Sequence, residues 1–214
     1  MEDILKDRIL KKIILGSNSP RRRELLAGLN IPFEVHVIPN VDESYPDTLD
    51  PYETAEYIAA KKAEAYRSLL DDENIEECIE PIVLTADTVV IAPTEDEQND
   101  QEGKGIILGK PKTAAEAHDM LCMLSGKTHH VVTGVCLVSK KETRKFSVVT
   151  EVSFKELNDA EINFYIHCYK PFDKAGAYGI QEWIGYIGCM GLKGSYFNVM
   201  GLPVQRIYEE LQKM

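Results

Sequence analysis

The run at residues 81–92 (PIVLTADTVVIA) is the sequence feature that most constrains the fold. Apolar residues are nearly continuous here, which is the pattern of a strand covered on both faces by other elements. Asp87 and Thr88 interrupt the run. An ionised carboxylate in such a strand is unfavourable unless it is paired, hydrogen-bonded or bound to a metal. Asp87 is therefore the strongest single candidate for catalysis, and the alternative is a carboxylate satisfied by neighbouring backbone N–H groups.

Patterns typical of strands and helices alternate through most of the chain, with one hairpin between residues 128–138 and 145–154. This order favours an α/β fold with a mixed sheet, in which strand-to-helix connections converge on a cleft. A Gly-rich stretch at residues 183–201 is predicted to be irregular. The other predicted strands are 13–15 and 32–38, and residues 106–111 return the chain to the body of the protein. The predicted helices begin near residues 20, 51, 114, 159 and 203, the second running to about residue 70.

Three arginines, residues 21–23, stand in the first turn of the helix that Ser19 is predicted to cap. The helix dipole disfavours a cation at this end by a few tenths to about 1 kcal/mol each. An anion bound at the turn would reverse that penalty, because backbone N–H groups, serine hydroxyls and guanidinium groups would all face it. We therefore predict a phosphate site here, and the alternative is a solvated basic face.

Three further charged side chains stand at positions that need a reason. Lys62 lies in the middle of the apolar stripe of the second helix, which requires a carboxylate partner, a ligand phosphate or a stem that extends to water. Glu43 follows Asp42 at the tip of the predicted strand 32–38, where a carboxylate pair can hold a metal or a proton, or can form a solvated turn. Lys110 stands on a turn constrained by a neighbouring glycine and proline.

Composition narrows the class of protein. The 214-residue chain can bury a sizeable core, and its net charge of −11 argues against general nucleic-acid binding, which needs a basic face. Five cysteines with no C-x-x-C pair favour a reducing compartment over a disulfide framework. No run approaches the about 18 apolar residues of a membrane span, and the first residues lack the apolar core of a signal peptide. We expect a cytoplasmic protein that binds neither membrane nor nucleic acid.

Seven motifs, in chain order, are SNSPRRRELL, KKAEAY, LTADTVV, LGKP, LSGKTH, FDKAGAYGIQ and NVMGLPV. Together they resemble the Maf family of nucleoside triphosphate pyrophosphatases, from residue 13 to residue 211. The main departure is a longer acidic segment at residues 94–105, which we expect to be a flexible insertion that lengthens a loop without altering the chemistry. The resemblance implies one domain over residues 1–214, an elongated mixed sheet flanked by helices, with two lobes around a central cleft, similar to the inosine triphosphate pyrophosphatase fold.

The resemblance also implies an activity. A nucleoside triphosphate would be hydrolysed between its α and β phosphates, giving a monophosphate and pyrophosphate, with a divalent ion, usually Mg²⁺ and alternatively Mn²⁺. Family members often form homodimers. Carried over by position, Asp87 would be the general base, Glu43 would serve the metal or the attacking water with Asp87 as a second metal ligand, Lys62 and Lys110 would neutralise triphosphate charge, and Ser17, Ser19 and Arg22 would hold phosphate.

Three positions bear on the choice of base. Arg21, Thr88 and Gln181 match the branch of the family that acts on dTTP and UTP, where a branch acting on 7-methyl-GTP tends to have Trp, Gln and Glu. A glutamine offers both a donor and an acceptor to a pyrimidine edge. Modified pyrimidine nucleotides are further candidate substrates. The alternatives are a pyrophosphatase that clears modified or non-standard purine nucleotides, and a non-catalytic nucleotide-binding regulator of cell division.

Overall fold

The computed structural model of the protein describes residues 12–70, 81–94 and 105–214. The acidic stretch 71–80, expected to be a loop, and most of the acidic insertion at 94–105 lie outside the described residues. The strands are β1 (Ile13–Leu15), β2 (Phe33–Val35), β3 (Ile82–Ala92), β4 (Ile106–Leu108), β5 (Thr128–Val138), β6 (Thr143–Phe154) and β7 (Cys189–Lys193). The helices are α1 (Pro20–Ala27), α2 (Pro51–Glu64), α3 (Arg67–Leu70), α4 (Ala114–Leu124), α5 (Asp159–Tyr169), α6 (Trp183–Gly188), α7 (Tyr196–Met200) and α8 (Val204–Leu211), with a 3₁₀ turn at Ala175–Ala177.

The strands form one seven-stranded mixed sheet in the order β2-β1-β3-β5-β6-β7, and β4 pairs with the last residues of β3. β1 runs parallel to both β2 and β3, whereas the other pairs are antiparallel. The predicted hairpin is present as the long β5–β6 pair. The predicted α/β fold with a mixed sheet is confirmed.

β3 lies at the centre of the sheet and its two faces contact different helices. Ile82, Leu84 and Ala86 pack in one cluster with α1 and α8. Val83 packs against α2, as do Val89 and Ile91. Because successive side chains of a strand point to opposite faces, Asp87 projects toward α2 and Thr88 projects toward α1. Ten of the eleven residues of β3 are buried, as its apolar run predicts.

A glycine allows α2 to approach the sheet closely. Gly134 of β5 is the register partner of Asp87. A Cβ at Gly134 would lie 2.1 Å from the backbone nitrogen of Glu56 and 2.2 Å from the carbonyl carbon of Ala55, both on α2. Only a residue without a side chain fits this crossing, so Gly134 sets how near α2 sits to β3.

The prediction of one helix from residue 51 to about residue 70 is wrong in its length, because the helix is interrupted between α2 and α3, near Tyr66. The Tyr66 hydroxyl donates to the carbonyl of His36 at 2.8 Å and accepts from the N–H of Ile38 at 3.2 Å. The backbone N–H of Ile38 is therefore bonded to a side chain rather than to a neighbouring strand. The predicted strand 32–38 is accordingly shorter, since β2 ends at Val35.

The prediction that residues 183–201 are irregular is also wrong, because this stretch contains α6, β7 and α7. Gly185, within this stretch, is required by close packing rather than by loop structure. A Cβ at Gly185 of α6 would lie 1.9 Å from the carbonyl oxygen of Ile180. Such tertiary contacts override the low helix propensity of glycine.

The helix N-termini follow the predicted caps in part. Asn158 and Glu161 form the complete reciprocal capping box at α5. The starts of α2 and α4 have the same spacing of a capping residue and a glutamate, Asp50 with Glu53 and Thr113 with Glu116, but their capping boxes are incomplete. Asp50 accepts from the N–H of Tyr52, and the carboxylate of Glu116 accepts from the N–H of the residue at position 112 rather than from its own cap.

His129 of β5 is a buried imidazole whose titration opposes folding in acid. Its Nε2 lies 2.8 Å from the hydroxyl of Tyr178, and its ring packs edge-to-face with those of Phe154 and Tyr178. Burial lowers the pKa of His129 to about 3. The unfolded chain, in which a histidine has a pKa of about 6.5, therefore binds more protons than the folded chain between these values.

We expect the free energy of unfolding to fall by about 1.4 kcal/mol per pH unit from this group as pH drops from about 6.5 toward 3. His129→Gln should reduce that slope, and His167→Gln, which alters an exposed imidazole on α5, should not. Urea unfolding of the three proteins at pH 7, 5.5 and 4.5 measures the difference. Equal slopes in wild type and His129→Gln would contradict the assignment.

Candidate active site

The turn between β1 and α1 has the capped geometry that its sequence predicts. Ser19 is the N-cap of α1, its Oγ accepting from the backbone N–H of Arg22 at 3.4 Å, and Pro20 is the first helical residue. The buried Ser17 accepts from the N–H of Ser19 at 3.2 Å. Both hydroxyls are thus fixed at the end of β1, where the cleft begins.

Arg22 points into the protein and is held by three oxygens. Its Nε donates to the carbonyl of Gly201 at 2.8 Å, Nη1 donates to the carbonyl of Ala86 at 2.8 Å, and Nη2 donates to the Thr88 hydroxyl at 3.1 Å. Burial lowers the pKa of Arg22 and the nearby charge of Asp87 opposes the change, but a guanidinium stays charged at neutral pH. Arg22 thereby ties α1 to β3 and to the segment before α8, and two of its five N–H groups remain for the predicted phosphate contact.

The other two arginines of the turn have different surroundings. Arg21 donates to the carboxylate of Asp173 at 2.8 Å, and Lys174 donates to the same carboxylate at 2.8 Å. Burial raises the pKa of Asp173, but the hydrogen bonds from Lys174 and Arg21 outweigh it and lower that pKa to about 2. Arg23 is exposed and bonds to Asn18. The arginine cluster is therefore not one solvated basic face.

Lys62 has carboxylate partners, the first of the three alternatives considered for it. Its Nζ lies 2.7 Å from Oδ1 of Asp87 and 3.1 Å from Oε1 of Glu43. The side chains of Lys62 and Asp87 are 14% and 13% exposed, whereas that of Glu43 is 52% exposed. In the described part of the chain no backbone N–H donates to Asp87, so the pairing with Lys62 accounts for its charge in β3.

The loop that carries Glu43 is attached to α2 by the lysine next to Lys62. Lys61 lies 2.6 Å from Asp42 and also bonds to Ser44. The hydrogen bonds that Asp42 accepts, chiefly the one from Lys61 and then those from Ser44, lower the pKa of Asp42 to about 2. Neighbouring lysines of one helix thus hold neighbouring carboxylates of one loop, and Glu43 is presented to Asp87 as a result.

Two adjoining cavities form a continuous cleft over these side chains, and they share Ser19, Arg21, Arg22, Lys62, Lys110 and Asp173. One cavity continues over the β1–α1 turn and Glu43, and we call it the phosphate end after the phosphate site predicted from the sequence. The other continues past Asp87 to Thr88, Lys174 and Gln181, and we call it the base end because the sequence predicts base contacts from Thr88 and Gln181. The structure brings together all ten residues singled out from the sequence: Ser17, Ser19, Arg21, Arg22, Glu43, Lys62, Asp87, Thr88, Lys110 and Gln181.

The base end contains charged residues that the sequence did not single out. Lys174 is only 8% exposed and lies 3.1 Å from Oε1 of Glu182. The other Glu182 oxygen accepts a hydrogen bond from Tyr165, whose hydroxyl also accepts from the N–H of Gly179 at 3.0 Å. Burial and the bond to Glu182 raise the pKa of Tyr165. This network fixes the Gly-rich loop, and only the charged start of FDKAGAYGIQ gave a signal for it.

Gln181 has an amide oxygen that is buried and accepts no hydrogen bond from the described residues. Gln181 lines the base end of the cleft beside Gly179 and Thr88. A buried acceptor without a donor is unfavourable by about 1–3 kcal/mol. The amide is therefore suited to a ligand that supplies an N–H group.

Asp87 and Glu43 are the residues in the cleft that fit a hard divalent cation. Such ions prefer carboxylate oxygens, and Lys62 contacts one oxygen of each side chain. From the described residues no donor reaches Oδ2 of Asp87. The donor set is therefore compatible with Mg²⁺ or Mn²⁺ at this point of the cleft.

The sequence matches the profile of one family, described as Maf-like protein, over residues 12–214. The chain belongs to the Maf-like family. Similar Maf-like proteins include the dTTP/UTP pyrophosphatase of Phocaeicola vulgatus, 53% identical over 203 residues that span 95% of this chain and 96% of the relative. The dTTP/UTP pyrophosphatase of Parabacteroides distasonis is 51% identical over 201 residues, which span 94% and 95% of the two chains.

A solved structure of a HAM1 protein from Coxiella burnetii covers 95% of this Maf-like chain and 100% of its own, with 15% identity and a TM-score of 0.42. A likeness at that level carries no weight for fold or function. In the portions of the Maf-like chain that the structure describes, no helix combines the length and apolar character needed to span a bilayer.

Proposed function

We propose that this Maf-like protein is a nucleoside triphosphate pyrophosphatase that hydrolyses dTTP and UTP to the monophosphate and pyrophosphate. The observation that carries the proposal is the single cleft in which a cation-rich turn adjoins the Lys62–Asp87 pair and then the Gln181 amide. The names and high identities of the relatives support the same activity. Roles of individual residues, the metal and the base contacts are inferred from this geometry.

The phosphate end supplies charge for a triphosphate. Five cationic side chains line the cleft against three carboxylates, although the chain as a whole carries −11. Arg21 and Lys110 line both cavities of the cleft, and Ser17 and Ser19 add hydroxyls to the lining of the phosphate end. Positive groups fixed before the reaction stabilise the charge that develops on the leaving pyrophosphate.

Asp87 is positioned to act as the general base. Lys62 holds its Oδ1, and Oδ2 is available to accept a proton from the attacking water. Glu43 is held close by through the same lysine. A divalent ion held by Asp87 and Glu43, Mg²⁺ or Mn²⁺, would neutralise phosphate oxygens when bound.

The base end suits a thymine or uracil. These bases present an N–H between two carbonyl groups, and Gln181 can accept from the N–H with its unpartnered oxygen while donating to a carbonyl. The hydroxyl hydrogen of Thr88 is directed at Thr133, which itself donates to the carbonyl of Asn198, so this hydroxyl has no hydrogen to donate to the base. Arg21, which also lines the cleft, is held by its ion pair with Asp173.

We also infer that the chain works as one domain, as a cytoplasmic homodimer. The continuous sheet supports a single domain. The family resemblance described above supports the homodimer and the cytoplasmic location.

A substrate panel tests the proposal. Purified protein with Mg²⁺ should release pyrophosphate from dTTP and UTP at least about tenfold faster than from 7-methyl-GTP or ITP, because a site built to hydrogen-bond one base edge rejects others. Preference for either purine nucleotide would instead support clearance of modified or non-standard purines. Nucleotide binding with no pyrophosphate from any of the four would support the non-catalytic regulator.

A further inference from the structure

A second group of ligating side chains lies outside the cleft, on α4 and at the start of α5. His118 and Cys122 are one helical turn apart on α4, and Asp159 is the first residue of α5. Sγ of Cys122 lies 3.6 Å from Nδ1 of His118, and Nε2 of His118 lies 3.5 Å from Oδ1 of Asp159. One donor atom from each of the three lies within 4.8 Å of the others. None of the three residues lines either cavity of the cleft.

The spacing of these atoms suits a tetrahedral metal ion. Bonds of about 2.0–2.3 Å to nitrogen, oxygen and sulfur place neighbouring ligands about 3.3–3.8 Å apart. An ion binds either Nδ1 or Nε2 of His118, so one of the two measured separations applies directly, and each falls in this range. The remaining ligand atom lies within 4.8 Å, and because Cys122 and Asp159 are both exposed, rotation of one side chain brings it into range. Helical residues four apart lie on the same face, so both side chains on α4 face Asp159 without any backbone change.

The carboxylates around the imidazole also favour a cation. Asp119 lies beside His118, with 4.0 Å between its Oδ1 and Nδ1 of the ring, and Asp159 lies on the side of Nε2. Both carboxylates would stabilise a bound divalent ion through their charge.

We propose that His118, Cys122 and Asp159 form a binding site for Zn²⁺, with water as the fourth ligand. A thiolate and an imidazole select a softer ion than the oxygen ligands of the cleft, so Mg²⁺ does not compete for this site. Binding forms the Zn–S bond and releases the thiol proton of Cys122 to solvent. The ion joins α4 to α5, and α4 packs against the 3₁₀ turn that borders the base end of the cleft.

Cobalt is the probe for the test, because Co²⁺ replaces Zn²⁺ and a cobalt–thiolate bond absorbs strongly in the near ultraviolet. The full chain is titrated with Co²⁺ in the presence of excess Mg²⁺, which saturates oxygen sites. We expect one equivalent of Co²⁺ with a thiolate charge-transfer band and tetrahedral visible bands, both removed by added Zn²⁺. Cys122→Ser should abolish the near-ultraviolet band, and His118→Gln should weaken binding at least about tenfold.

Cys168→Ser is the matched control, since Cys168 is an exposed thiol on the neighbouring helix α5. This variant should keep the band, and Zn²⁺ should raise the midpoint of thermal unfolding of wild type and Cys168→Ser but not of Cys122→Ser. No thiolate band in the wild type, or a band that survives in Cys122→Ser, would overturn the proposal. Pyrophosphate release with Mg²⁺ should be equal in wild type and Cys122→Ser, so the zinc site and the cleft are tested separately.

Discussion

Replacing Asp87 by asparagine is expected to lower the rate of pyrophosphate release from dTTP by about 10²–10⁴-fold. The amide keeps the size of the carboxylate and an oxygen for the 2.7 Å contact with Lys62. It removes the negative charge, and with it the ability to take a proton from water. The fold should persist because the side chain still fits between β3 and α2.

Asp42→Asn is the matched control for this experiment. Asp42 is also a carboxylate paired with a lysine of α2, but it is 67% exposed and lies outside both cavities. The amide keeps an oxygen for the hydrogen bond from Lys61, so the loop that carries Glu43 should stay in place and this variant should keep near-wild-type turnover. Both variants should be measured at saturating dTTP with Mg²⁺ by continuous detection of pyrophosphate. Near-full turnover by Asp87→Asn would refute its assignment as the base.

Gly134→Ala is expected to have the largest effect on stability, lowering the free energy of unfolding by about 1–3 kcal/mol or more. The added Cβ would lie 2.1 Å from the Glu56 nitrogen, a backbone atom that cannot rotate away. Relief therefore requires α2 to move off the sheet. Since Lys62 stands on α2, that movement also lengthens its contact with Asp87, and pyrophosphate release should fall together with stability.

Gly191→Ala provides the comparison for the glycine effect. Gly191 lies in β7, and a Cβ there would meet only the Cβ of Ser153 at 4.0 Å, which is ordinary van der Waals contact. Urea unfolding of both variants and of wild type, followed by pyrophosphate assays, measures the two effects. Equal stability of the three proteins would show that α2 tolerates the displacement. Reduced stability of Gly134→Ala with unchanged activity would show that the Lys62–Asp87 contact does not depend on this crossing.

Local signals in the sequence were sufficient for the parts of the fold that depend on neighbouring residues. The apolar run predicted β3, and Ser19 with Pro20 predicted the start of α1 because a cap and the first turn lie within a few positions. The same kind of signal failed where distant residues decide the structure. The predicted long helix is interrupted just after Glu64, where Tyr66 bonds to a loop 30 residues earlier in the chain.

The site shows the same division. Asp87 and Lys62 could each be singled out because each violates the apolar pattern around it. Their pairing depends on how α2 crosses β3, and no local pattern encodes that crossing. The acceptors of Arg22 lie as far as 179 residues along the chain, so the sequence indicated a charge at the turn without indicating that the guanidinium is anchored in the interior.

A chain of hydrogen bonds runs from Arg22 through Thr88 and Thr133 to the carbonyl of Asn198. Each hydroxyl in it both accepts and donates, so replacing either threonine by a residue without a hydroxyl leaves its neighbours unsatisfied. An altered choice of nucleobase at Thr88 would therefore need coordinated replacements on three separate segments. Substrate preference among such proteins would then change only through several substitutions together, because variants with one of these substitutions would be poorer enzymes for either nucleotide.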